Sequence, residues 1–262
     1  NVAVIPSDLG VGAELPETDR PLVPVIHVSD LFRPHDDPDD HWDLACVYAL
    51  AVQDRVDLRG ILIDHPRPER GNAPDVLAVA QLNHLTGKAV PVMVGSPRWA
   101  APESLSAWGD APELLGVRAM IETLRDAPAP VVIHVLGSCR DVALAGQLAP
   151  ELFARKCRAV YLNAGCGTQD ASRAGRLEWN VRLEPQAYAT MFDLPCPVYW
   201  MPCFEEVRAT PDEPMRVAEH GTFYRFHQGD VLPYLSPGLR SYFAYMFLHG
   251  QSVTGQAPTE PG

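Results

Sequence analysis

Lysine is almost missing from this chain of 262 residues: Lys88 and Lys156 are the only two. The 21 Lys and Arg together face 33 Asp and Glu, for a formal net charge of −12. Nucleic acid and anionic membranes both need a basic surface, so neither is expected as the main partner. No uninterrupted apolar run reaches the length on the order of 18 residues that a membrane-spanning helix needs. No CxxC pair and no dense framework occurs among Cys46, Cys139, Cys157, Cys166, Cys196 and Cys203. Cysteines used this way read as buried thiols of a reducing compartment, so a cytoplasmic location is expected. A chain that opens on Asn1 rather than Met is equally compatible with a removed leader. An HExxH motif is lacking, which argues against a helix-borne zinc site. A Gly-rich phosphate loop with its Lys is lacking too, which ranks a Mg²⁺-dependent phosphohydrolase low.

What the chain does have is apolar sequence, 47% of it, in short runs that alternate with helical patterns. Strands are expected at Val23–Val28, Leu58–Ile63, Ala89–Val94, Val131–Leu136, Ala159–Leu162 and Pro197–Met201. Their successive residues are apolar, as in strands covered on both faces. Helices are expected at Asp40–Gln53, Pro74–Leu85, Glu113–Arg125, Asp141–Leu148, Pro185–Phe192 and Pro237–Leu248. This alternation predicts an α/β fold: an open, mostly parallel sheet flanked by helices in three layers. Residues 1–22 read as an extended arm, 23–250 as a single domain, and 251–262 as a loose tail.

Six aspartates and three histidines crowd into the seventeen residues from His27 to Asp43, between the first strand and the first helix. Like charges this close are tolerated when solvated or when a cation neutralises them. Asp30 ends the strand, Asp39 and Asp40 open the helix, and Asp43 lies one turn further on. The bland reading is a solvated loop whose Asp residues cap a helix. The position between strand and helix favours the other: an oxygen-rich site for Ca²⁺, with Mg²⁺ as the alternative. His27, inside a strand, reads as a core residue rather than a ligand. The spacing of His27, His35 and His41 does not suit zinc.

Ligands of such sheets bind at the carboxyl ends of the strands. Two further segments fall there: the turn Gly137-Ser138-Cys139-Arg140, and Asn163-Ala164-Gly165-Cys166-Gly167. Gly137 would free the Leu136 carbonyl to face the site, and Asn163 is a candidate substrate contact. Glu178 and Asn180 are two apart, so an extended segment would put an acid and an amide on one face, suited to gripping a diol.

Three of these segments, in order, resemble the nucleoside hydrolases and their wider superfamily. Val25-Ile26-His27-Val28-Ser29-Asp30 with Pro38-Asp39-Asp40 and Leu44-Ala45 is similar to the family's DxDxxxDD loop. The segment Val135 to Ala145 is similar to TGPLTNxAxA, and Glu178-Trp179-Asn180 through Glu184-Pro185-Gln186-Ala187 to EFNxxxDPEA. Val90 to Gly95 and Gly60-Ile61-Leu62 resemble weaker family features. The resemblance spans about residues 23 to 230. It implies an N-glycosidic hydrolase of ribonucleosides or related glycosides that binds one Ca²⁺ and uses a metal-bound water. Asp30, Asp39, Asp40, the Leu136 carbonyl and Asp230 are then the implied metal ligands. Asp30 would take the water's proton, and His227 would protonate the leaving group. Asp39, Glu178, Asn180 and Asn163 would contact substrate. A homo-oligomer is also implied, although no residue pattern marks an interface.

The departures from the family concern the leaving group. The gap from Asp30 to Asp39 is long, with Asp36 and Asp37 in the extra piece. The late His-Asp pair has its nearest counterpart in His227-Gln228-Gly229-Asp230, with His220 and His249 as alternatives to His227. The family's Asn after the second strand is replaced around Asp64-His65-Pro66, and Ser172 and Arg173 stand where another Asn is usual. A sugar- or nucleoside-binding module without turnover is therefore the non-enzymatic alternative.

Overall fold

The computed structural model describes residues 21–33, 39–66, 71–100, 104, 111–167, 172, 177–203 and 226–253. The elements run β1 (Val23–Ser29), β2 (Phe32–Arg33), α1 (Asp39–Val52), β3 (Val56–Ile63), β4 (Ala73–Pro74) and α2 (Val76–Thr86). There follow β5 (Val92–Val94), α3 (Leu115–Asp126), β6 (Val131–Val135), α4 (Arg140–Leu148), α5 (Pro150–Lys156) and β7 (Cys157–Asn163). Last come α6 (Trp179–Leu183), α7 (Pro185–Thr190), β8 (Val198–Met201), α8 (Gln228–Val231) and α9 (Pro237–Val253).

Six strands form one parallel sheet in the order β5-β3-β1-β6-β7-β8, as the runs of Val and Ile predict. β2 and β4 pair separately as a small antiparallel ribbon. Each face of the sheet carries its own core. On one side Ile26, Val28, Leu62, Ile133, Val160 and Leu162 meet helices α3, α4, α5 and α7. On the other, Val25, Leu58, Ile61 and Ile63 meet α1, α2 and α9. Burial on both faces is why these strands lack the polar alternation of a half-exposed sheet.

The helices begin and end on recognisable local chemistry. Asp39 and Asp40 sit in the first turn of α1, where the helix dipole favours negative charge. Asp75 caps α2 by accepting from the Leu77 amide at 3.2 Å. Pro150 and Pro185 occupy first-turn positions that need no amide hydrogen. α9 continues through Val253, past the expected start of the tail at Gln251. Of the expected arm, only Pro21 and Leu22 fall among the described residues. Among the described residues, no helix is long and apolar enough to cross a membrane.

From β1 the chain winds outward through β3 to β5, then crosses back to β6 and winds the other way. The switch point therefore lies between β1 and β6, and the crevice for a ligand opens at their carboxyl ends.

Candidate functional site

Three chain segments meet at that crevice. Leu136, just past β6, donates its amide to the Val28 carbonyl at 2.9 Å, and Asp64, just past β3, donates to the Ser29 carbonyl at 2.9 Å. The ends of β1, β3 and β6 are thus stitched together. Gly137 is required here by proximity: a Cβ would lie 2.5 Å from Asp64 Oδ2 and 2.7 Å from the Asp30 nitrogen. Any larger residue would push the acidic strand ends apart.

Asp40 turns back from the start of α1, and its Oδ1 accepts from the buried Ser29 hydroxyl at 2.8 Å. Asp39 is exposed and accepts from the Asp40 amide at 3.1 Å. Asp30 is half-buried, and its Oδ2 accepts from the Trp179 indole at 3.0 Å. That bond joins the first acidic loop to the Glu178–Asn180 segment. Asp43 is half-buried, and burial pushes its carboxyl up to about 6. Asp36, Asp37 and His35 lie outside the described residues.

The Glu178–Asn180 segment is not extended. Glu178 caps α6: Oε1 accepts from the Asn180 amide at 3.0 Å, and Oε2 from Val181 at 3.3 Å and Gly165 at 2.8 Å. The acid and the amide therefore do not share a strand face. They meet through a cap, because a carboxylate two residues ahead of free helical amides satisfies them better than an extended chain would. Asn180 donates through Nδ2 to the Leu136 carbonyl at 2.7 Å and to the Asn163 carbonyl at 3.1 Å. Asn163 in turn accepts at Oδ1 from the Cys203 thiol at 2.7 Å. Burial, then the negative charge of Glu178, then Cys166 and Asp39, raise the Cys203 pKa, so all four groups belong to one neighbourhood.

The structure thus gathers Asp30, Asp40, Leu136, Asn163, Glu178 and Asn180 at one edge, with Asp39 beside them. Among the described residues, no hydrogen bond or ion pair links the side chains of His227 and Asp230 to that edge. Both are exposed, His227 precedes α8, and among the described residues the Asp230 carboxylate makes no hydrogen bond or ion pair. Among the alternatives, His220 lies outside the described residues, and the side chain of His249 is not described. Neighbouring Phe226 packs edge-on against Trp42 of α1, 5.2 Å between ring centres.

A second group of charges behind the edge escaped the sequence reading: Asp64, Asp141 and Arg140. Asp64 is 1% exposed, accepts from the Ser138 amide at Oδ2, and among the described residues has no hydrogen bond to Oδ1. Burial above all, then the charges of Asp141 and Asp30, hold its carboxyl well above the usual range, against the pull of Arg140 and the Ser138 amide. Asp141 accepts from the Ser96 amide at 2.6 Å, and burial lifts it to about 6 despite that bond and the nearby Arg140. Arg140 donates to the carbonyls of Ser96 at 2.7 Å and His65 at 3.1 Å, and its Nε lies 3.9 Å from Glu184. Asp64 was findable: it directly follows the apolar run of β3, the same placement that singled out Asp30 at the end of β1.

His27 and His41 are core residues. His27 is fully buried, 5.3 Å from the ring of His134, and among the described residues neither of its nitrogens has a hydrogen-bond partner. Burial first, then His134, lower its pKa to about 3. His41 lies 3.8 Å from the carboxylate of Asp75.

The edge offers hard oxygen donors: the carboxylates of Asp30 and Asp40, the Leu136 carbonyl, and behind them the unbonded Oδ1 of Asp64. That chemistry fits a Ca²⁺- or Mg²⁺-like ion rather than a soft metal. Among the described residues, no three His, Cys, Asp or Glu side chains converge as a complete metal-binding group.

Comparison with known proteins agrees with this layout. The family model described as inosine-uridine preferring nucleoside hydrolase matches residues 36–251. The fold is similar to that of a plant nucleoside hydrolase, the PpNRh1 enzyme (TM-score 0.55, 15% identity, covering 88% of this chain and 72% of that one). It is similar to the inosine-uridine preferring nucleoside hydrolase of Bacillus anthracis (0.50, 18% identity, 73% and 68%). It is also similar to the type III effector protein XopQ complexed with adenosine diphosphate ribose (0.50, 18% identity, 71% and 59%). The chain therefore spans less than two thirds of that effector's length. No curated protein sequence matches it.

Proposed function

The chain belongs to the inosine-uridine preferring nucleoside hydrolase family, and we propose that it hydrolyses the N-glycosidic bond of a ribonucleoside or a related glycoside with the help of Ca²⁺. The observation that carries this reading is the Trp179–Asp30 bond at 3.0 Å together with the Asn180–Leu136 bond at 2.7 Å. Through them two sequence-remote segments face one crevice, an acid on one side and sugar-binding groups on the other.

The ion would be held by Asp30, Asp39, Asp40, the Leu136 carbonyl and Asp230, with Mg²⁺ as the second candidate. Bound there, it would offset the clustered negative charge and polarise water for attack. Asp30 takes the proton of the attacking water. Both Nδ2 hydrogens of Asn180 are committed to backbone carbonyls, so the group it presents to a sugar hydroxyl is its Oδ1. Among the described residues Glu178 Oε1 accepts only one amide, which leaves it a lone pair for a second hydroxyl. Asn163 and Asp39 complete the sugar contacts. Carboxylates around the crevice stabilise the positive charge that develops on the sugar as the bond to the base breaks. His227 protonates the departing base.

A binding module without turnover is the second reading. It is favoured by the heavy use of Glu178 and Asn180 in holding backbone groups, and by the exposure of His227. The likeness to an effector complexed with adenosine diphosphate ribose suggests that ligand as a probe.

The test is calorimetric titration with a panel of nucleosides and with adenosine diphosphate ribose in Ca²⁺, while free base or ribose release is followed. Ca²⁺-dependent release supports the hydrolase. Saturable binding without release supports the module. A protein that neither binds nor cleaves any of them refutes both.

A further inference from the structure

Cys157 opens β7 and is buried, and Cys196 lies at the bend leading into β8 and is half-buried. β7 and β8 run parallel with Val160 opposite Val198, and the Val160 amide donates to the Pro197 carbonyl at 2.9 Å. Carried back along both strands, that register sets Cys196 opposite Arg158, the residue after Cys157; Arg158 is the extra residue of a bulge, since Val131 and Val132 of β6 pair with Cys157 and Ala159, and Cys157 therefore faces the same cluster as Cys196. Neighbouring strands stand about 4.8 Å apart, within the Cα separation that a disulfide spans. Cys157 belongs to the core cluster on that face, and Cys196 packs against the same cluster. The two thiols lie close enough to perturb one another's ionisation.

We propose that Cys157 and Cys196 form a reversible dithiol–disulfide pair, closed by a small disulfide of the glutathione class, and that closure staples the edge strand β8 to β7. This does not depend on the proposed hydrolase activity.

Cys196 is the attacking group. It is the more accessible thiol, and its interaction with the Cys157 thiol lowers its pKa against the opposing effect of burial. Contact with Cys196, and then burial, hold Cys157 in its protonated form. The Cys196 thiolate attacks one sulfur of oxidised glutathione, expels one glutathione thiolate and leaves a mixed disulfide. Cys157 then gives its proton to solvent, attacks the Cys196 sulfur and expels the second glutathione. Two protein thiols are oxidised and one glutathione disulfide is reduced to two thiols. β8 is the last strand of the sheet, paired on one side only among the described residues, so it is the strand that gains most from a covalent tie.

The full chain is equilibrated with oxidised and reduced glutathione at a series of ratios, acid-quenched, alkylated, digested and mapped by mass spectrometry. The expected result is a linked Cys157–Cys196 peptide, loss of two hydrogen masses from the intact protein, and a thermal midpoint raised by roughly 5 °C. Cys157→Ser should stop at one glutathione on Cys196, and Cys196→Ser should leave Cys157 unmodified. No linked peptide in the wild-type protein under excess oxidised glutathione, or linkage of either cysteine elsewhere, overturns the proposal. The wild-type map decides it even where a variant fails to fold.

Discussion

Asn180 donates to the backbone carbonyl of Leu136 at 2.7 Å, bridging a gap of 44 positions in the sequence. Its second hydrogen reaches the Asn163 carbonyl at 3.1 Å. The two carbonyls end neighbouring strands, β6 and β7, so one amide group spans their tips.

Asn180→Ala would strand both carbonyls beside a buried cavity. The expected cost is about 2 to 3 kcal/mol of stability, the usual size for buried polar groups left without partners. The Leu136 carbonyl would also lose its fixed direction, so Ca²⁺ affinity should fall along with sugar affinity. Chemical denaturation and calorimetry measure the two effects. A variant unchanged in both would mean that this amide neither supports the site nor orients it.

Asp40 is the carboxylate tied most directly to the strand end, through Ser29 at 2.8 Å. Asp40→Asn keeps an acceptor for that hydroxyl while removing the charge. It should fold with near-normal stability and lose Ca²⁺ binding by at least about tenfold, the loss that roughly 1.4 kcal/mol represents. Ca²⁺ affinity equal to that of the wild type would remove Asp40 from the ligand set.

Arg140 stands between Asp64 and Asp141 and holds the Ser96 and His65 carbonyls. Arg140→Met leaves two buried acids without their cation. It also strips the Ser96 and His65 carbonyls of their donor, and the combined cost is on the order of 3 kcal/mol. Adding Asp141→Asn should recover part of that loss. Additive losses in the double variant, by urea denaturation, would show that the two residues do not interact.

Acid should destabilise the fold through His27. Its folded pKa is about 3 against an ordinary 6.5, so between those values the unfolded chain binds the extra proton. The stability it contributes is complete above pH 6.5 and is lost as pH falls toward 3. By pH 4 the loss is on the order of 3 kcal/mol. His134, also lowered by burial, adds to it. Asp43 and Asp141, both raised to about 6, act in the opposite direction: the stability they contribute is lost as pH rises through 6. His27→Leu should therefore flatten the profile between pH 6.5 and 4, and raise stability at neutral pH by removing two unpartnered nitrogens. An equally steep acid loss in this variant would assign the effect to other groups.

Much of the fold was legible in the sequence because doubly buried parallel strands are written as unbroken apolar runs. The Val131–Leu136 expectation differs from β6 by one residue, and Leu58–Ile63 misses only the first two residues of β3. The expectation for Ala89–Val94 ran long: β5 begins at Val92, because Pro91 has no amide hydrogen and contributes only its carbonyl, which accepts from Ile61. The short helices Pro150–Lys156 and Trp179–Leu183 were not expected. They are too brief to show a period, and their starts rest on a Pro and on the Glu178 cap.

The sequence by itself determined the α/β class and the order of its strands and helices, and it marked the acidic strand-to-helix loop. Those features are encoded locally, in apolar runs, caps and charge density. Only the tertiary structure decided that Asn180 spans Leu136 and Asn163, that Trp179 reaches Asp30, and that Asp64 and Asp141 lie buried around Arg140. These relations depend on which strand ends become neighbours at the crossover between β1 and β6, and no local pattern in the chain carries that information.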